Sequence, residues 1–133
     1  MFREFGGVLG FLIIFFYALT ILNYILKYIN KRYKNEIKKN ELFSKYFHKL
    51  LKIIVKYHKV FGFMTVAFIL LHFAIQYTNF RLSITGIIAA ACMLLQVILG
   101  AYGVYTKKRG GKWLLLHRAI AALIMLTILI HVI

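Results

Sequence analysis

The sequence predicts an all-α membrane protein, a four-transmembrane-helix bundle with an amphipathic cytoplasmic extension before the second span. Three observations predict it. The 133-residue chain is 62% hydrophobic, has a mean hydropathy of +0.80 and contains no proline. Soluble domains are nearer half apolar, and long uninterrupted apolar runs mark membrane spans. Three such runs are clear, at about 6–29, 84–105 and 113–133, and a fourth, at about 57–77, carries Lys59 at its start and His72 inside it. Each is close to the ~20 residues that cross ~30 Å of hydrocarbon. Short turns join the later runs, which implies antiparallel neighbours.

The first run, Gly6 to Ile29, is longer than the apolar core of a cleaved leader. Its "MFRE" start has no clear positive excess and no small-x-small site follows, so it reads as a retained helix. "NKRYKNEIKKN" reads as a solvated linker. In "ELFSKYFHKLLKIIVKY", Phe43, Phe47, Leu50, Leu51 and Ile54 recur at helical spacing, with Lys45, His48, Lys49, Lys52 and Lys56 largely opposite. That pattern predicts an amphipathic helix at or rising from the membrane interface, continuous with the second span. "TNFRLS" is a short outer turn, and "TKKRGGK" a short inner turn with two glycines to reverse direction. Tyr28, Tyr57, Tyr77, Tyr102, Tyr105 and Trp113 fall near span ends, where amphipathic rings belong. The four spans make one domain, 1–133, and leave no room for a soluble nucleotide- or substrate-binding domain.

A formal charge of +15 raises the question of nucleic-acid binding, but its placement answers differently. Eleven of the eighteen Lys and Arg lie from Lys27 to Lys59, and five more from Lys107 to Arg118; Arg3 and Arg81 stand at the opposite ends of the helices. This asymmetry predicts cytoplasmic basic loops and both termini outside. The charge then records topology and contact with anionic lipid, and no nucleic-acid partner is expected. The lone Cys92, mid-span, has no partner for an internal disulfide, and no C-x-x-C-H motif for covalent haem exists. It reads as a small apolar filler.

Histidines carry the chemistry. "HKVFGFMTVAFILLH" runs from His58 to His72, and "HRAIAALIMLTILIH" from His117 to His131. Histidine is costly in hydrocarbon, so an intramembrane histidine is first a question about function. Fourteen residues advance a helix about 1400°, roughly 40° short of four turns, so both histidines of a span share a face about 21 Å apart. A shift of 59 residues superimposes His58 on His117, Lys59 on Arg118 and His72 on His131. The two spans run in the same direction. His58 is therefore level with His117 on the cytoplasmic side, and His72 with His131 towards the outside. Facing histidines at two depths suit the axial positions of two stacked haems, the inner iron on His58 and His117 and the outer on His72 and His131.

Neighbouring residues fit the same frame. Lys59 and Arg118 follow the inner ligands, where they either pair with a haem propionate or serve as topology signals and lipid contacts. Gly86 and Gly100 are also fourteen apart, on a span running the other way, which puts Gly100 near the inner level and Gly86 near the outer. With Gly62, Thr65 and Ala121 on the ligand faces, they either admit a macrocycle or simply pack helices. A single membrane histidine is explained by a hydrogen bond across helices; two pairs in equal frames are not. Zinc sites gather three or four ligands within a few ångströms, whereas these pairs are well separated. The three acidic residues, Glu4, Glu36 and Glu41, lie away from them, which also argues against a proton or cation pump. His48 reads as an interfacial histidine on a wet face.

At these residues the chain resembles the di-haem transmembrane cytochromes b, the cytochrome b561 and ferric-reductase-like group. The matching pieces, "HKVFG…LLH" and "LHR…LIH", cover about a quarter of the chain. The resemblance implies a four-helix core, two non-covalent b haems on His58, His72, His117 and His131, and membrane electron transfer from quinol, a reductant or a flavoprotein. Unlike the reductase members, this sequence carries no FAD or NAD(P)H domain, so a separate redox protein or quinol must exchange electrons with it. The second reading is a haem-containing membrane anchor, a subunit of a larger respiratory or reductase complex. A haem-free transporter is the third.

Overall fold

The computed structural model describes residues 2–79 and 81–133; the side chains of Phe2 and Arg3, the latter counted above among the outer cations, lie outside the described residues, as does Phe80 of the expected outer turn. The chain is all-α, 91% helical, with no strand among the described residues. Its helices are α1 (Phe2–Arg32), α2 (Lys34–Lys39), α3 (Glu41–Asn79), α4 (Ile84–Tyr105) and α5 (Gly111–Val132). Four of them, all but α2, are long and apolar enough to cross a membrane, with mean hydropathies of 1.8 to 2.4 over their most apolar stretches. Large apolar side chains cover their exposed surfaces, Phe11, Phe63, Leu70, Ile98 and Leu115 among them. In water that surface would be unfavourable at about 25 cal/mol per Å²; in lipid it is the natural exterior. The chain is consistent with an integral membrane protein.

The extension before the second span is continuous with it. Helix α3 runs 39 residues without a break, about 58 Å at 1.5 Å per residue, nearly twice the hydrocarbon thickness.

Two compact units share these helices, residues 11–67 in one and residues 1–10 with 68–133 in the other. In the unit of residues 11–67 the stretch "NKRYKNEIKKN" is solvated as expected, exposed from Arg32 to Glu36 and from Lys38 to Asn40, but it is not a plain linker. This stretch holds α2, and Ile37 in its middle is 4% exposed, packed with Leu26, Phe47 and Ile54. The stretch is lysine-rich, and Ile37 is its one buried apolar side chain; burying an isoleucine is worth about 1.5–3 kcal/mol. Asn40 then starts α3, its side-chain oxygen accepting from the Phe43 N–H at 3.0 Å. The expected apolar stripe divides: Phe47, Leu51 and Ile54 pack inward, while Phe43 and Leu50 stay exposed. His48 is exposed and donates from Nδ1 to the Ser44 carbonyl of its own helix at 2.7 Å.

In the other unit, α4 and α5 pack along each other. Ser83 caps α4, its hydroxyl accepting from the Gly86 N–H at 3.1 Å. The turn between the two helices departs from expectation. Neither Gly110 nor Gly111 takes a left-handed conformation; Lys107 does, at φ 56°. Helix α4 ends before the glycines are reached, and side chains close its C-terminus. Arg109 Nε donates to the Gly103 carbonyl at 2.9 Å, an acceptor at the end of the helix, and Thr106 Oγ1 adds a second donor, at 2.7 Å, to the Tyr102 carbonyl that the Thr106 N–H already bonds. Gly110 instead stands at the N-cap of α5.

Candidate functional site

His72 near the end of α3 and His131 near the end of α5 come together. Their ring centroids are 6.5 Å apart and their planes cross at 84°. His72 is half-buried; its Nδ1 is buried and has no hydrogen-bond partner among the described residues, although the Gly6 backbone approaches the same ring. His131 is exposed and differently held. Its Nδ1 lies 3.0 Å from Thr85 Oγ1 and 3.2 Å from Ser83 Oγ, both at the start of α4. Gly86 lies under the ring: a Cβ built there would sit 3.0 Å from His131 Cε1.

Fourteen residues earlier on α5, His117 is half-buried and meets a different environment. The Trp113 ring stacks on it, centroids 5.0 Å apart and planes 13° apart. Trp113 is anchored in turn by Nε1 donating to the Leu99 carbonyl at 3.0 Å. Gly103 makes the space, since a Cβ there would fall 2.5 Å from Trp113 Cζ2. Gln96 Nε2 donates to the His117 carbonyl at 2.9 Å, tying α4 to α5 at this level. Gly100 faces the same histidine more loosely, a built Cβ lying 4.0 Å from His117 Cε1. Arg118 follows on the exposed side of α5.

His58, Lys59, Gly62 and Thr65 belong to the unit of residues 11–67. His58 is half-buried and Lys59 exposed. Thr65 is fully buried, its hydroxyl donating to the Phe61 carbonyl at 2.8 Å. Gly62 has open space before it, with nothing within 4 Å of a built Cβ.

Sequence reasoning does not reach five residues of this arrangement. Trp113 reads from the sequence as an interfacial ring alone, although its position four residues before His117 puts both on one helix face. Gln96, Gly103, Ser83 and Thr85 carry no such signal, because their partners lie on another helix.

What could the His72–His131 pair hold? Among the described residues no three His, Cys, Asp or Glu side chains gather as a tetrahedral metal site requires. Two imidazoles alone match an iron that takes its other ligands from a porphyrin. A metal–imidazole bond is about 2 Å, and a ring nitrogen is about 1 Å from its centroid, so two axial imidazoles place their centroids roughly 6 Å apart. The pair stands at 6.5 Å. The hydroxyl-held Nδ1 of His131 suits the non-ligating nitrogen of such a ligand, whereas on His72 the buried Nδ1 is the nitrogen left without a partner among the described residues.

No protein-family model, curated protein or solved structure matches the chain.

Proposed function

We propose that this protein is a small membrane cytochrome b of the cytochrome b561 and ferric-reductase-like kind, carrying electrons between the two faces of a bilayer. The observation that carries the reading is the His72–His131 pair, whose ring centroids stand 6.5 Å apart on two apolar helices. The pairing of His58 with His117 rests on the repeated fourteen-residue frame.

Bound haem would supply a one-electron ferric–ferrous couple at each level. The chain supplies the rest. His72 and His131 hold one group and His58 and His117 the other; apolar helix surface excludes water; Trp113, Ser83 and Thr85 fix the directions of the imidazoles. Lys59 and Arg118 are exposed and each follows its histidine in sequence, a position where a cation would suit a propionate. Gly86 and Gly100 leave room around the histidines of α5, and Gly62 leaves room on α3.

Lysine placement supports an orientation with both termini outside and basic loops in the cytoplasm. Electrons then enter from a quinol or a separate redox protein, and an acidic one would suit the basic face. The test is a reduced-minus-oxidised visible spectrum of the purified protein, with haem quantified per chain. Two b haems reducible by a quinol analogue support the carrier. Two haems that no quinol or redox protein reduces favour the anchor subunit, and absence of haem overturns both.

A further inference from the structure

We infer that Ser83 and Thr85 are positioning residues for His131: their hydroxyls hold its Nδ1 and so present Nε2 as the ligating nitrogen. The inference rests on the haem reading for its purpose, but not for its geometry.

The argument starts from hydrogen-bond capacity. An imidazole that binds metal through one nitrogen carries its proton on the other, and that N–H needs an acceptor. On His131 the two acceptors within reach of Nδ1 are Thr85 Oγ1 at 3.0 Å and Ser83 Oγ at 3.2 Å. Ser83 Oγ already accepts from the Gly86 N–H at 3.1 Å; a hydroxyl oxygen has two lone pairs, so it can accept once more. The same serine thus caps α4 and grips the far end of α5. Gly86 completes the seat, because a Cβ there would crowd both Ser83 Oγ, at 2.9 Å, and the ring.

The consequence is electronic as well as steric. An acceptor on the distal N–H pushes electron density onto the ligating nitrogen, which favours ferric over ferrous iron. A neutral hydroxyl does this less than a carboxylate would. Removing the hydroxyls is therefore expected to raise the potential of the group held by His131.

The experiment uses Thr85→Val, which keeps shape and spares the Ser83 cap, alone and with Ser83→Ala; Thr85→Ser is the conservative control. In haem-free protein, 15N NMR of His131 reads which nitrogen carries the proton. The inference requires Nδ1–H donating to the hydroxyls, and a wild type in the Nε2–H form, with a hydroxyl donating to Nδ1, overturns it. The double variant should move the tautomer ratio about three- to tenfold towards Nε2–H, the scale of one lost hydrogen bond. Thr85→Ser should restore the wild-type ratio. In haem-loaded protein the ferric-to-ferrous ratio of the outer group, at fixed ambient potential, should fall by up to about tenfold, equivalent to 59 mV for one electron. An unchanged tautomer ratio in a folded double variant overturns the inference. A tautomer shift with an unmoved potential overturns its electronic half and leaves the positioning. Failure of the wild type to bind haem sinks the functional reading instead, and the NMR arm still decides whether the hydroxyls set the ring.

Discussion

Trp113 lies flat on His117, ring centroids 5.0 Å apart and planes within 13°. The indole is fixed at its other edge by the Leu99 carbonyl and sits in the gap left by Gly103. The imidazole can thus tilt little without disturbing the α4–α5 contact. Trp113→Ala is expected to lower stability by about 3 kcal/mol. Trp113→Phe keeps a ring and loses one hydrogen bond, which costs about 1 kcal/mol. Gly103→Ala should behave more like Trp113→Ala than like a surface change, because a methyl there overlaps the indole. Thermal unfolding in detergent ranks the three. Equal stability of Gly103→Ala and wild type would show that the indole is not seated as described.

Gly86 and Gly100 are equivalent by sequence, fourteen residues apart on α4, but their surroundings differ. A methyl at Gly86 falls 3.0 Å from His131 Cε1, whereas one at Gly100 falls 4.0 Å from His117 Cε1, an ordinary contact. Gly86→Ala is therefore expected to shift the His131 ring resonances in haem-free protein, and Gly100→Ala to leave those of His117 in place. The reverse order would contradict the packing of both rings.

Much of this arrangement was legible in the sequence because it is local and periodic. Four apolar runs gave four long helices, and the fourteen-residue frame on α5 put His117 and His131 both against α4, beside Gly100 and Gly86. The continuity of α3 followed from an amphipathic stretch running straight into an apolar one. The short helix α2 was not legible, since Ile37 is a lone apolar residue among lysines and its burial depends on Leu26 and Ile54 from other helices. Lys107 took the left-handed position although glycines stood nearby, because side chains from Thr106 and Arg109 had already closed the helix. Ser83 and Thr85 reach a histidine 48 and 46 residues later. No periodicity carries information over that distance.

If His72 and His131 share one haem, removing either should have the same spectral consequence. His72→Ala and His131→Ala are each expected to lose the same b haem and to retain the one that depends on His117. Difference spectra and redox titration of the purified variants read this directly. Loss in His72→Ala of the haem that His117→Ala also loses would mean that the pairs are crossed.

The basic stretch around α2 gives a handle on orientation. Asn35 is exposed there, and Cys92 is the single native thiol, so Asn35→Cys with Cys92→Ser leaves one reporter. From the lysine bias, it is expected to be shielded from an impermeant thiol reagent in intact cells and labelled after permeabilisation. Labelling in intact cells would reverse the assigned topology.

Conduction is the prediction on which the function stands. If the histidines fourteen residues apart, about 21 Å along a helix, hold haem at both levels, they are useful to an electron carrier only if an electron entering at one face leaves at the other. Porphyrins between the paired histidines would shorten the gap across which it must pass. Protein in sealed vesicles is therefore expected to transfer electrons from a donor on one side to an impermeant ferric acceptor on the other. His58→Ala or His117→Ala should stop this flow while the haem of His72 and His131 remains visible in the spectrum. Empty vesicles measure leakage, and the His58→Ala protein controls for electrons that bypass the inner level. If wild-type protein holding both haems passes no more electrons than these controls, with donors and acceptors spanning both haem potentials, then the haems do not serve conduction. The protein would then be the anchor, with its histidine pairs serving to bind helices together rather than to connect two sides of a membrane.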